Sequence, residues 1–406
     1  MLPFVPPLRA LAGRGHDVIF ATPPIFARPL RRLGLDVTPV GPFLGRRALA
    51  AFHGAVGTDD DGSAPFLEYW HDILLGGTRR TYDDLTQAVP APDVVLAHYH
   101  SIAALAAARR WGVPCASLAW GPACIPSRGY PAPRAAMHVE DLAETLLPGA
   151  ADRNGDGWRD ELAWAGQHID PATNAVLADL GLEPMAGAPF SLPAAGDALL
   201  LASHACLLGD QPDWPTGTVQ LGYPYFDRIP GANVTAALAF AKRGPAPVLV
   251  SFGTAIADGA LPVYSAVIAA LRRLDHRVIV LSSKLADDEH DDVFHAGFVP
   301  LADVVHACAL VVHHGGPGTS TACLRAGIPS LVIPQFLDQP FNAAIVAAVG
   351  AGVALRPHEL VGDQLLRALA SAAAPSIAAS ATAVAERLAS DCDPGDAIAD
   401  AVESLG

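Results

Sequence analysis

Short apolar runs alternate along this chain with stretches whose apolar residues recur at helical spacing. In the first half the pattern predicts strands at Asp17–Thr22, Asp93–Ala97, Cys115–Ala119 and Ala198–Ala202, with helices over Ser101–Trp111 and Pro171–Leu180. In the second half "PVLVSFGT", "RVIVLSS", "ALVVHHGG" and "PSLVIP" read as strands, and Leu261–Leu274, Pro317–Ala326 and Gln339–Val349 as helices. The strand segments are apolar throughout rather than alternating. That suits parallel sheets covered by helices on both faces, hence an α/β fold. Two such series predict two Rossmann-like domains, residues 1–215 and 216–406. They meet near the Pro- and Gly-rich segment "GDQPDWPTGTVQLGYPYFDRIPG", Gly209–Gly231. The final stretch, Ala378–Leu405, is helical and is expected to pack across either domain.

The start of the chain breaks the rhythm. In "MLPFVPPLRALAGRGHDVIFATPP", Phe4, Leu8 and Leu11 open a helix, "GRGH" stops it and "DVIFAT" follows as a strand. A helix leading into a parallel strand is the second half of a βαβ unit. The N-terminal sheet is therefore expected to lack its first strand. Two long insertions, Gly41–Gly77 and Pro122–Asp170, are rich in Gly, Pro and aromatic residues. Insertions at strand ends commonly shape ligand pockets, and in a two-domain α/β protein ligands meet in the cleft.

Composition narrows the classes. The 406 residues are 51% hydrophobic and carry a net charge of −15, with no Lys/Arg cluster, which argues against general nucleic-acid binding. The six cysteines, Cys115, Cys124, Cys206, Cys308, Cys323 and Cys392, form no CxxC pair, so they suggest neither a zinc knuckle nor a disulfide framework. A reducing cytoplasm fits this usage. No signal-peptide pattern and no transmembrane run stands out; peripheral membrane contact stays open.

The richest segment is "ALVVHHGGPGTSTACLRAGIPSLVIPQFLDQPFNAAIVAAVGAGVAL". A strand, Leu310–His313, enters a glycine-rich turn that opens a helix near Pro317. Gly315, Gly316 and Gly318 allow close backbone approach, and a helix N-terminus offers unpaired N–H groups and the positive end of its dipole. Thr319 and Ser320 add hydroxyls, and His314 adds an imidazole. On the glycines alone, a plain strand–turn–helix is as good a reading as a phosphate site.

The segment resembles the nucleotide-diphosphosugar motif of family 1 glycosyltransferases, which have the GT-B fold. The matching parts are "HHGGPGT", "RAGIPSLVIP", "DQPFNA" and "GAG", in order. "SFGT" (Ser251–Thr254), "GFVP" (Gly297–Pro300), "PDVVLAH" (Pro92–His98) and "PDWPTGTVQLGYPYFD" (Pro212–Asp227) extend the likeness over nearly the whole chain. "DQPFN" and the linker resemble the bacterial branch with sterol-glucosyltransferase-like and rhamnosyltransferase-like members. The resemblance implies two Rossmann-like domains facing across a cleft. It also implies a donor diphosphate held by His314, Gly315, Gly316, Gly318, Thr319, Ser320, Gly253 and Thr254. Asp338 and Gln339 would bind the donor sugar's hydroxyls, although Asp338 also reads as a simple helix cap. Phe298 and Val299 would reach the nucleobase through backbone groups. Leu301 stands where the family often has Gln or His, which leaves uracil against thymine open. No metal is expected, because no Asp-x-Asp motif lies near the turn.

The family's usual base is a histidine in a "GHxxP"-like loop after the first strand. Pro3 matches that proline, so the histidine would fall just before Met1. A wrongly assigned start is the favoured explanation, and a genuine truncation the alternative. His98, at a strand end in "LAHYHS", is the substitute base candidate, weighed against a histidine merely bonded to backbone. Phe66, Tyr69, Trp70, Trp120, Tyr130, Trp158 and Trp164 are candidates to line a lipophilic acceptor pocket, with Trp70 and Trp120 foremost. "DRNGDGWRDE", Asp152–Glu161, imitates a calcium loop, but its twelfth position is Ala163, so a polar loop is expected instead. The expected activity is inverting transfer of a hexose or deoxyhexose from a UDP- or dTDP-sugar to a hydroxyl of a lipid, sterol or polyketide-like acceptor. The alternative is a glycosyltransferase-like helper lacking the base.

Overall fold

The computed structural model describes residues 2–43, 63–139, 141–226, 234–253, 261–282, 285, 291–297, 299–360 and 363–406. The eight expected strands form, and four that the pattern did not predict join them: Val37–Pro39, Thr218–Gln220, Val293–His295 and Gly352–Ala354. In the first half these are β1 (Phe20–Thr22), β2 (Val37–Pro39), β3 (Val95–His98), β4 (Cys115–Ala119), β5 (Ala198–Leu201) and β6 (Thr218–Gln220). In the second half they are β7 (Val248–Ser251), β8 (Val278–Val280), β9 (Val293–His295), β10 (Leu310–His313), β11 (Ser330–Val332) and β12 (Gly352–Ala354). The second half builds one parallel sheet in the order β12-β11-β10-β7-β8-β9. The first half builds a parallel β3-β4-β5-β6 sheet and a separate parallel β1-β2 pair.

The division between the sheets falls later than the expected boundary at 215. Thr218–Gln220 pairs with Leu199–Leu201 in the N-terminal sheet, so the chain leaves that sheet only after Gln220. The "PDWP" segment does not act as a free linker. Asp213 accepts hydrogen bonds from the Ser127 hydroxyl and the Arg128 N–H, and Trp214 Nε1 donates to the Tyr130 hydroxyl at 2.7 Å.

Seven helices matter for the site: α1 (Val5–Gly13), α2 (Ile102–Trp111), α3 (Ala151–His168), α4 (Pro317–Ala326), α5 (Gln339–Ala348), α6 (Pro375–Ala389) and α7 (Pro394–Glu403). Ser101 caps α2 by accepting the Ala104 N–H, and Gly112 ends it at φ +72°. The C-terminal stretch is two helices rather than one, because Asp393 and Pro394 start a new helix. Its second half, α7, does cross back, packing Ile398 and Val402 in one core with Val5, Leu8 and Leu11 of α1. Arg14 fixes this contact with hydrogen bonds to Asp396, Asp400 and Glu403. Phe4 is buried between Phe20, at 5.8 Å, and Trp120, at 5.5 Å, so the first residues fill the core beneath both N-terminal sheets.

The expected polar loop at Asp152–Glu161 is wrong: this segment lies within α3. Asn154, Trp158, Glu161 and Ala165 recur at helical spacing and form its buried face. Their polar atoms are satisfied: Asn154 Nδ2 donates to the Arg128 and Thr145 carbonyls, and Trp158 Nε1 to the Tyr130 carbonyl at 3.0 Å. Asp152, Asp156 and Asp160 point into solvent, where Asp152 pairs with Arg128 and Asp156 with Arg159. They do not converge on a cation, and no metal-ligating cluster exists among the described residues. Among those residues no single helix is long and apolar enough to cross a membrane, and all six cysteines are free.

Candidate active site

The site lies at the carboxyl ends of the parallel strands, where α/β proteins bind their ligands. β10 delivers His313 and His314 into the glycine turn. His313 is fully buried and its Nδ1 accepts the Gly315 N–H at 3.0 Å, which folds the chain sharply into α4. Gly315 sits at φ +87°, where a Cβ would strike the Gln339 carbonyl at 2.9 Å. The helix begins with Gly316 at the cap position, without a side-chain cap. Its first bond is Ser320 N–H to the Gly316 carbonyl at 2.9 Å. The N–H groups of Gly318 and Thr319 therefore stay free of intrahelical partners. The Ser320 hydroxyl is buried without a hydrogen bond, which fits a site awaiting an anion.

His314 is held between two glycines. A Cβ on Gly316 would lie 2.5 Å from its Nε2, and one on Gly253 would lie 2.9 Å from its Cε1. Burial lowers the His314 pKa to about 4, so the imidazole is neutral at pH 7. The turn thus gathers Gly253, His314, Gly315, Gly316, Gly318, Thr319 and Ser320. Thr254 and Phe298 lie outside the described residues. Val299 follows β9 with its side chain in the core.

Asp338 occupies the cap position of α5 but caps nothing with its side chain. The residue before it, Leu337, has φ +56°, a strained backbone for a bulky side chain. Gln339 enforces that bend: its Oε1 accepts the Gln335 N–H at 2.8 Å and the Phe336 N–H at 3.3 Å. The Gln339 side-chain oxygen is thus committed to the loop, and its amide nitrogen is the part left for a ligand. Asp338 instead lines a cavity of about 240 Å³. Burial raises its pKa to about 6, against the pull of a hydrogen bond from Asn342. Asn342 Nδ2 also donates to the Gly315 carbonyl at 2.8 Å, tying the Asp338 carboxylate to the glycine turn.

The opposite wall of the cavity comes from the N-terminal half. His98 lines it, stacked on Tyr99 at 4.4 Å and edge-on to Trp120 at 5.3 Å. His98 Nδ1 accepts the His100 N–H at 3.2 Å, so the neutral ring carries its proton on Nε2. Burial, and then the neighbouring His100, hold the His98 pKa well below the usual value. His100 itself is buried, and its Nε2 bonds the Pro189 carbonyl.

Of the two foremost aromatics, only Trp120 lines the cavity. Trp70 is fully buried behind His100, with its ring 4.9 Å away and its Nε1 donating to Thr173 Oγ1 at 2.9 Å. The expectation for Trp70 is therefore corrected: its indole nitrogen has an internal partner, and the ring is core. Tyr130 and Trp158 are core as well. Phe66, Tyr69 and Trp164 do line the cavity, joined by Tyr99, Phe190 and Phe341. Sequence reasoning assigned no role to Asn342, Tyr99 or Phe341. The "DQPFN" motif held two of them without showing where they would point.

Comparison with known proteins agrees with this geometry. The family of the erythromycin biosynthesis protein CIII-like C-terminal domain matches residues 265–405. The vancomycin aglycone glucosyltransferase of Amycolatopsis orientalis is 30% identical over 400 residues, covering 95% of this chain and 91% of that protein. The dTDP-epi-vancosaminyltransferase of the same organism is 31% identical over 403 residues, covering 93% and 89%. Among solved structures, the glycosyltransferase VinC in complex with dTDP superposes with a TM-score of 0.67 at 21% identity, covering 100% of this chain and 96% of that one. With relatives of this identity along nearly its whole length, and with parallel sheets in two domains, the chain belongs to the family 1 glycosyltransferases of the GT-B fold.

Proposed function

We propose that this glycosyltransferase takes a deoxyhexose or hexose from a dTDP-sugar and places it, with inversion, on a hydroxyl of a polycyclic natural-product aglycone. The observation that carries the reading is the meeting of two walls in one cavity. Asp338 and Asn342, tied to the diphosphate turn, face Trp120, Phe66, Tyr69 and Trp164 across it. The relatives whose names carry dTDP favour that donor over a UDP-sugar.

In the reaction the acceptor oxygen attacks the anomeric carbon from the face opposite the diphosphate. The bond from that carbon to the phosphate oxygen breaks, and its electron pair leaves with the diphosphate. The free amides of Gly318 and Thr319, the α4 dipole and the His314 imidazole stabilise that charge, so no metal is required. The acceptor's proton needs a base. His98 can serve only after its proton moves from Nε2 to Nδ1, which means giving up the 3.2 Å bond from the His100 N–H. Giving it up leaves the His100 N–H without that acceptor, at a cost of about 1–3 kcal/mol that the bound acceptor must offset. The test is transfer from dTDP-sugars to aglycone acceptors, followed by release of dTDP. A His98→Ala variant is expected to lose about 100-fold or more in kcat. Unchanged turnover in that variant would place the base elsewhere.

A further inference from the structure

The segment that leaves the N-terminal sheet passes directly over the diphosphate turn. Gly222 bends it at φ +78°, where a Cβ would strike both His204, at 2.9 Å from Cε1, and Pro394, at 2.8 Å. The next residue, Tyr223, is held by its own N–H, which donates to His204 Nε2 at 3.2 Å. That bond fixes the His204 tautomer. Its proton sits on Nδ1 and points at Asp391 Oδ2, 2.9 Å away at the end of α6. Backbone and ring are thus anchored to both halves of the molecule before any ligand arrives.

The Tyr223 ring then runs to the N-terminus of α4. Its hydroxyl lies 3.1 Å from the point where a Cβ on Gly318 would stand, and the side chain is only 8% exposed. Among the described residues this hydroxyl has no hydrogen-bond partner. The Ser320 hydroxyl beside it is buried and unpartnered, which is costly unless a ligand completes it, and the Tyr223 phenol and the free Gly318 amide are donors at the same place.

We propose that Tyr223 is a further donor to the nucleotide diphosphate: its O–H binds a phosphate oxygen and strengthens its hold as charge builds on the leaving group. The inference rests on the donor-site reading above. The phenol keeps its proton throughout; only a hydrogen bond forms. Burial, then the nearby Asp338 carboxylate, raises the phenol's pKa above its ordinary value, which suits a donor that never ionises. The absence of a side chain at Gly318 gains a second reason, since any methyl there would displace the hydroxyl.

The test compares wild type with Tyr223→Phe, which removes one oxygen, using calorimetric titration with dTDP and, separately, with thymidine. The expected result is a dTDP affinity about tenfold weaker, with thymidine affinity unchanged within about twofold. Turnover should fall about 10- to 100-fold. Gly318→Ala is expected to reproduce the selective loss of dTDP binding. Wild-type affinity for dTDP in Tyr223→Phe would overturn the proposal. So would equal weakening of dTDP and thymidine, which would mark a structural role. Should the wild-type chain bind neither dTDP nor UDP, the donor-site reading falls, and the Tyr223 role with it.

Discussion

Gly316→Ala isolates the phosphate turn from the stability of the fold. Gly316 has φ −61° and ψ 142°, a conformation alanine adopts freely. On backbone grounds alone, alanine would stabilise the fold by about 0.4–1 kcal/mol through the unfolded chain. The new methyl, however, would stand 2.5 Å from His314 Nε2, 3.2 Å from Cε1 and 3.4 Å from Cδ2. That puts Nε2 about 0.9 Å inside ordinary contact. Gly253 also approaches the ring, since a Cβ there would stand 2.9 Å from Cε1. Overpacking of this kind costs about 1–3 kcal/mol, so the net loss of stability should lie between about 0 and about 2.6 kcal/mol. A displacement near 1 Å at a reacting centre costs about 100-fold in rate. The expected outcome is a melting temperature within a few degrees of wild type, a dTDP affinity weakened tenfold or more, and kcat/KM down about 100-fold. Gly149→Ala is the control, since nothing lies within 4 Å of that Cβ. If Gly316→Ala binds dTDP and turns over like wild type, the clamp on His314 has no functional meaning.

Three further outcomes follow from the same geometry. Asp338, with its pKa raised from 3.8 to about 6, is more stable protonated in the fold than in the unfolded chain. Its ionised form therefore destabilises by up to about 3 kcal/mol, fully above pH 6 and less and less as pH falls through 6 towards 3.8. Asp338→Asn should raise the melting temperature at pH 7.5 but not at pH 4, and should abolish the acid limb near pH 6 in kcat/KM; a loss of stability at pH 7.5 would contradict the burial account. Trp70→Ala should cost about 3–5 kcal/mol in denaturant unfolding, because a fully buried indole and its bond to Thr173 are lost. Trp120→Ala should instead raise KM for the acceptor more than for the donor, and a larger donor effect would place the acceptor on another surface.

How far the chain could be read beforehand differed by region. α4 forms over Pro317–Ala326 as expected, since proline opens it, Gly327 closes it and β10 and β11 flank it with unbroken apolar runs. The glycine turn was legible because its geometry is local: a few consecutive residues bend it and open the helix. α3 was not, because its buried face carries Asn154 and Glu161, whose partners come from residues around 128–145. With polar residues on the inner face, apolar periodicity is faint, and glycines and aspartates imitate a loop. The side to which Trp70 turns depends on Thr173, 103 residues away. The same holds for Tyr223, whose place over Gly318 exists only once both sheets have packed. Local pattern carries the elements, and long-range contacts decide which side chains reach the cleft.

The central claim is that the α4 turn holds a nucleotide diphosphate facing the aromatic cavity. A crystal structure of this chain grown with dTDP tests it most directly. The account predicts phosphate oxygens on the Gly318 and Thr319 amides and the Ser320 hydroxyl, with His314 in contact and Asp338 open to the sugar position. A diphosphate bound away from this turn, or a site left vacant at saturating dTDP, would contradict it.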